Sequence, residues 1–161
     1  MKAKKVTKTN ACRILDQESI PYKIYEFPWS EDHSDAKSVA DQLGIATESI
    51  YKTLVTVGDK TGVVVACLSG SVELDLKALA KVSGNKRVEM LPMKELEKTT
   101  GYIRGGCSPI GMKKQFPTFI QKSAESEDEM IISAGRRGMQ LAVAPKELAQ
   151  VTKAQFVDIS H

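Results

Sequence analysis

The sequence predicts a mixed α/β (α+β) domain, and three observations predict it. Apolar runs with the period-two alternation of half-buried strands recur from Tyr22 to Ile159. Segments with helical apolar spacing, bounded by capping residues and glycines, lie between them. The two kinds of segment follow no regular βαβ rhythm and no internal repeat, which points to a mixed sheet. At 161 residues the chain reads as one domain, 1–161, long enough to bury a core without staples.

Taken in order, Thr7 or Thr9 caps a helix running to about Gln17, with Ala11, Ile14 and Leu15 on one face. Pro21 breaks it, and Tyr22–Phe27 alternates like a strand. Residues 28–34 form a loop, and Asp35–Leu43 reads as a helix closed by Gly44. Ile50–Val57 and Gly62–Leu68 are β-rich runs joined by a hairpin turn at residues 58–61. Leu74–Val82 is a helix ended by Gly84, and Lys86–Met90 a short strand. Pro92 introduces a helix over Met93–Thr99, which delivers the chain to a glycine-rich loop at Gly101–Gly111. Strands follow near Thr118–Gln121, Met130–Ser133 and Gln140–Ala144. Pro145 starts a last helix to about Val151, and Gln155–Ile159 makes a final strand.

Composition narrows the function. Aromatic residues are only 6% of the chain, which argues against an extended stacking surface for single-stranded nucleic acid. A formal charge of +3 is too small for a protein that coats nucleic acid, yet it is compatible with a local basic rim around a phosphate-meeting site. Three scattered cysteines, Cys12, Cys67 and Cys107, form neither a disulfide framework nor a zinc pattern, which favours a reducing, cytoplasmic location. The basic N-terminus has no apolar signal segment behind it, and no apolar window is long enough to span a membrane.

The candidate chemistry sits in two loops and one strand. Gly101–Gly111 holds four glycines, Ser108 and Pro109, has no acidic residue, and places Arg104 in its middle. Such a loop can aim several backbone N–H groups at one anion or developing oxyanion; a plain connection is the competing account. Ser133–Gly138 repeats that character, with Ser133, Gly135, Arg136 and Arg137. Lys52, at the start of an apolar strand, either snorkels to solvent or points its ammonium into a cleft. The only histidines, His33 and His161, lie in a polar loop and at the terminus, so neither supplies a convincing base for Ser108, Ser133 or Cys107. No cluster has metal-ligand spacing, and no P-loop is present. Chemistry would therefore rest on backbone donors, hydroxyls, lysine or the substrate itself.

These segments resemble the YbaK/EbsC (YbaK/ProX-domain) family of aminoacyl-tRNA deacylases. Tyr51–Leu54, Gly101–Gly111 and Ser133–Gly138 carry the likeness in the right order, with Arg87–Met90 and the closing Ala-Pro helix in support. The resemblance implies a central, barrel-like mixed sheet flanked by helices, and clearance of mischarged Cys-tRNA(Pro) by an enzyme acting in trans. It implies no metal or cofactor, binding of the tRNA 3′ end, and prolyl-tRNA synthetase as partner. In stand-alone relatives of this kind the substrate's own thiol attacks the ester. Lys52 would be the essential lysine, and Gly105, Gly106 and Ser108 would serve the carbonyl oxygen. Phe27, Gly101, Pro109, Gly111, Ser133, Gly135 and Arg137 would border the substrate. Phe27 stands where some relatives carry tyrosine, so a hydroxyl contact would be lost there. The alternative is a non-catalytic module that binds a nucleotide or tRNA 3′ end; a weaker one is hydrolysis of small free esters.

Overall fold

The computed structural model describes residues 8–161; Met1–Thr7, with the possible cap Thr7 and the basic N-terminal stretch, lie outside the described residues. Thr9 caps α1 (Asn10–Gln17), its hydroxyl accepting from the Cys12 N–H at 3.4 Å. The chain continues through β1 (Lys23–Glu26), α2 (Ala36–Leu43) and the hairpin β2 (Tyr51–Gly58) and β3 (Gly62–Ser69). There follow α3 (Leu76–Ser83), β4 (Val88–Met90), α4 (Leu96–Thr100) and the glycine-rich loop. The rest is β5 (Thr118–Gln121), β6 (Met130–Ser133), β7 (Met139–Val143), α5 (Pro145–Thr152) and β8 (Gln155–Val157).

Element bounds differ from the sequence expectation where another partner or a tighter turn intervenes. Leu74 is not helical because it bridges Ser160, and Asp75 caps α3 by accepting from the Ala78 N–H at 3.1 Å. The segment before the glycine-rich loop opens as a 3₁₀ turn, Met93–Glu95, before it becomes α-helical.

The strands form two sheets rather than one closed barrel. The larger has the order β4-β2-β3-β5-β8, and the smaller the order β1-β7-β6. Strand β4 occupies the outer edge of β2 only over Thr56–Gly58. The start of β2 is left to meet β6, and it does so through a single parallel bridge, Ile50 to Ile131, instead of a full ladder.

Side-chain alternation sorts the strands into layers. Met130 and Ile132 of β6, with Met139, Leu141 and Val143 of β7, enter the main core alongside Cys67 and Ile120 of the larger sheet. Helices α1 and α5 contribute Ala11, Cys12, Leu15 and Leu148 to that core. On the outer face of the larger sheet, Val64, Ala66, Leu68 and Phe119 pack against Leu79 and Ala80 of α3. On the outer face of the smaller sheet, Ile131 and Ala142 pack with Phe27 and with Val39 and Ala40 of α2. The period-two reading of the strands and the 3.6-period reading of the helices thus meet in the same contacts.

One buried polar side chain ties the β2–β3 turn to the end of α3. Asn85, 8% exposed, accepts from the N–H groups of Lys60 and Thr61 at 2.9 and 3.0 Å. Its amide donates to the hydroxyls of Thr61 and Ser83 at 2.9 and 2.8 Å. Replacing Asn85 by alanine strands those turn donors, so stability should fall by about 2 kcal/mol and thermal denaturation should shift down by about 4–8 °C. Asn85→Asp, which keeps the acceptor oxygen, should cost less in the same melt; equal losses would refute the turn-donor account.

Candidate active site

A cleft of about 590 Å³ opens where the two sheets meet. The bridge at Ile50 brings the first residues of β2 beside the outer face of β6 and β7. On that face Ser133 and Gln140 are directly opposed across the strands, 9% and 8% exposed, and both line the cleft. Tyr51, Lys52, Thr53 and Leu54 form one wall. Arg104, Gly105 and Cys107 come from the glycine-rich loop, and Asp35–Lys37 from the start of α2.

Lys52 reaches the cleft as a half-buried side chain, its ammonium donating to the Val72 carbonyl at 2.6 Å. An ammonium has three donors, so that bond leaves two for a ligand. The sequence alternatives for Lys52 were solvent or cleft, and the structure places it in the cleft wall. Tyr51 and Leu54 diverge as alternation requires, Tyr51 into the main core and Leu54 against the cluster under α3.

The glycine-rich loop is clamped from one side by the Ser133–Gly138 loop and by Trp29. Arg137 donates from Nε to the Arg104 carbonyl at 2.9 Å while its guanidinium lies 4.0 Å over the Trp29 ring. Gly105 has φ +84° and packs so close to Trp29 that a Cβ there would come within 2.9 Å of the indole Nε1. A Cβ on Gly106 would lie 3.0 Å from the Arg136 backbone. Both positions exclude side chains for a steric reason, and the loop is thereby pressed into one course beside the cleft.

Several expected site residues lie elsewhere. Ser108 is fully buried, and its hydroxyl accepts from the Ile110 N–H at 3.2 Å, so it braces the turn and does not face the cleft. Pro109 and Gly111 line a separate, smaller hollow with Ile14 and Phe116. Gly101 closes α4 in a left-handed conformation. Phe27 is 9% exposed and belongs to the apolar cluster beneath α2. Gly106 and Arg137 support the loop from behind, and Gly135 donates its N–H to the Ser133 hydroxyl at 3.2 Å. The expectations for these positions came from the family resemblance, and for those in the two loops a segment without a regular period does not reveal which side chains turn inward.

Conversely, Gln140, Thr53, Asp35 and Lys37 line the cleft without having been singled out. Gln140 had a legible signal, a polar residue in an otherwise apolar strand, but only the β6–β7 register sets it against Ser133. The cleft contains no histidine. Its one carboxylate, Asp35, accepts from the Ser38 N–H at 3.3 Å and the Ser38 hydroxyl at 2.6 Å; the latter contact, then the former, lowers its pKa and commits it to capping α2. Burial pushes the Cys107 thiol up to about 12, against a weaker downward pull from Thr100, which disfavours a thiolate nucleophile there. Among the described residues no group of three or more metal-ligating side chains converges, and no helix is long and apolar enough to cross a membrane.

The chain matches the aminoacyl-tRNA editing domain over residues 30–151. It is 61% identical over 160 residues, 98% of both chains, to a protein of Enterococcus faecalis named "Putative Cys-tRNA(Pro)/Cys-tRNA(Cys) deacylase EbsC". A 118-residue stretch, 73% of this chain and 20% of its relative, is 27% identical to the proline–tRNA ligase of Thermodesulfovibrio yellowstonii. Among solved structures, a "putative trans-editing enzyme for prolyl tRNA synthetase" superposes with a TM-score of 0.81 at 26% identity, covering 96% of this chain and 99% of that one. With a family match spanning the cleft's walls and both of its loops, the protein belongs to the aminoacyl-tRNA editing domain family.

Proposed function

We propose that this protein is an aminoacyl-tRNA deacylase that clears cysteine from Cys-tRNA(Pro) in trans, using the thiol of the substrate as nucleophile. The observation that carries the reading is the cleft itself. Lys52, the Arg104–Cys107 loop, Ser133 and Gln140 converge there with no histidine and no uncommitted carboxylate to serve as a base. A site so equipped can position a substrate and stabilise negative charge, and it suits a substrate that brings its own nucleophile.

In the proposed step the cysteinyl sulfur attacks the ester carbonyl carbon. The C–S bond forms, the C–O bond to the terminal ribose breaks, and the thiol proton ends on the ribose oxygen. The products are a cyclic thioester and uncharged tRNA. Lys52, with two N–H donors beyond its bond to Val72, meets the developing oxyanion or the terminal phosphate. The backbone N–H of Gly105 adds to that charge stabilisation from the cleft wall, while the Gly106 N–H is spent on the Ile103 carbonyl at 2.9 Å and holds the turn closed. Ser133 and Gln140 hold the amino acid from the sheet, with Gly135 bordering them. Ser108, Phe27, Gly101, Pro109 and Gly111 act in this scheme as braces for the loop and the sheet.

The name of the Enterococcus relative supports cysteine as the amino acid, and the likeness to a proline–tRNA ligase supports prolyl-tRNA synthetase as partner. A chain with a net charge of only +3 has little generic grip on tRNA, so a synthetase that supplies tRNA selectivity fits its physics.

Release of labelled cysteine from preformed Cys-tRNA(Pro) tests the reading. Lys52→Ala should lower the rate by about 10²-fold or more if it stabilises the oxyanion; an inactive wild type would leave a binding module instead, and an unaffected variant would remove Lys52 from the mechanism. Ser-tRNA(Pro), whose hydroxyl is the poorer nucleophile, should be spared, and its cleavage at the cysteinyl rate would rule out the substrate-thiol step. Gly106→Ala, which forces the loop off the Arg136 backbone, should cost about tenfold or more in the same assay while the protein still melts cooperatively.

A further inference from the structure

We propose that Lys37 and Arg104 are the two jaws of a phosphate clamp at the mouth of the cleft, gripping the backbone of the single-stranded RNA 3′ end that enters it. The inference rests on the deacylase reading for the identity of the ligand and on its own observations for the residues. Lys37 and Arg104 are exposed and line the same cleft as Lys52, yet they come from separate elements, the first turn of α2 and the glycine-rich loop. With Lys52 they make three cations around an opening whose one carboxylate is already engaged by Ser38. On a chain of formal charge +3, that is a local concentration of positive charge.

Four basic residues elsewhere are engaged by carboxylates. Lys8 is bound to Asp16, Arg136 to Glu26, Arg87 to Glu89 and Lys98 to Glu95. Among the described residues neither Lys37 nor Arg104 takes part in an ion pair. Both also stand on firm supports. Asp35 fixes the start of α2, whose Val39 and Ala40 are buried, and Ala36 rests against Gly70. The Arg104 backbone is held by Arg137, itself stacked on Trp29. Two cations on fixed supports, flanking the entrance to a cleft built for an ester at an RNA terminus, match a strand that carries a phosphate at each step.

The test uses an uncharged RNA minihelix of the tRNA(Pro) acceptor stem, ending in CCA and labelled at its 5′ end, with binding read by anisotropy across a potassium chloride series. Lys37→Gln and Arg104→Gln should each weaken binding several-fold at low salt. Each should also lower the slope of log K against log salt by about 0.7, the double variant losing about 1.4. Arg104→Lys should restore the slope, Lys81→Gln on α3 should leave it at the wild-type value, and removal of the terminal CCA should erase the difference between wild type and the two glutamine variants. Unchanged slopes in both glutamine variants, an equal loss in Lys81→Gln, or no binding by the wild type would overturn the clamp. Because the minihelix carries no ester, its outcome is independent of deacylation. A protein that grips RNA without releasing cysteine sinks the deacylase reading, and a working deacylase with unaltered slopes sinks the clamp alone.

Discussion

The bridge between Ile50 and Ile131 is the constraint on which the rest of the site depends. It is where the backbones of the two sheets are bridged, and it sits immediately before Tyr51 and Lys52 and beside the strand that ends in Ser133. Both isoleucines are nearly inaccessible, and they share a cluster with Phe27, Val39, Ala40 and Ala142. Burial of that cluster holds α2 over the smaller sheet and so sets the position of Asp35–Lys37. A shift at the bridge would move a lysine from one sheet relative to a serine and a glutamine from the other. The cleft is a product of sheet packing before it is a product of any loop.

Because the sheets bridge at one point and do not zip together, the barrel implied by family resemblance gives way to two sheets with a gap between them. The division of β2 explains it: β4 takes the later half of its edge, and the earlier half is turned toward β6. Extension of that parallel bridge into a full ladder would close the seam beside Lys52. The open seam, which looks like an incomplete closure, is what leaves room for a ligand.

How far the chain could be read in advance follows from the range of the interactions concerned. The bounds of β5 and β6 were legible to the residue, because alternation and flanking breakers are local signals. Helix ends were legible at Thr9, Gly44 and Gly84, and drifted at Leu74, where the cap is Asp75 and the competing partner is the distant Ser160. At the site, Lys52, Gly105 and Ser133 stood out by residue type and line the cleft. Of two neighbours in one loop, Ser108 was the expected site residue and Cys107 was not, yet Ser108 is sealed in a turn and Cys107 lines the cleft. Gln140 acquired meaning only from its register against Ser133, and Lys37 only from the packing of α2. Local chemistry was in the sequence, and the pairing of remote strands was not.

Trp29 is the sole tryptophan in the chain, and it lies against Gly105 on one side and under the Arg137 guanidinium on the other. The protein's dominant intrinsic fluorophore is therefore built into the support of its candidate active site. A cation stacked on an indole and a loop pressed against its edge both alter emission when they move. Displacement of the glycine-rich loop, by a ligand or by a partner, would change the colour or intensity of that one residue against a background of only four tyrosines. The same contact that makes the loop rigid also makes its rigidity visible from outside, without any label.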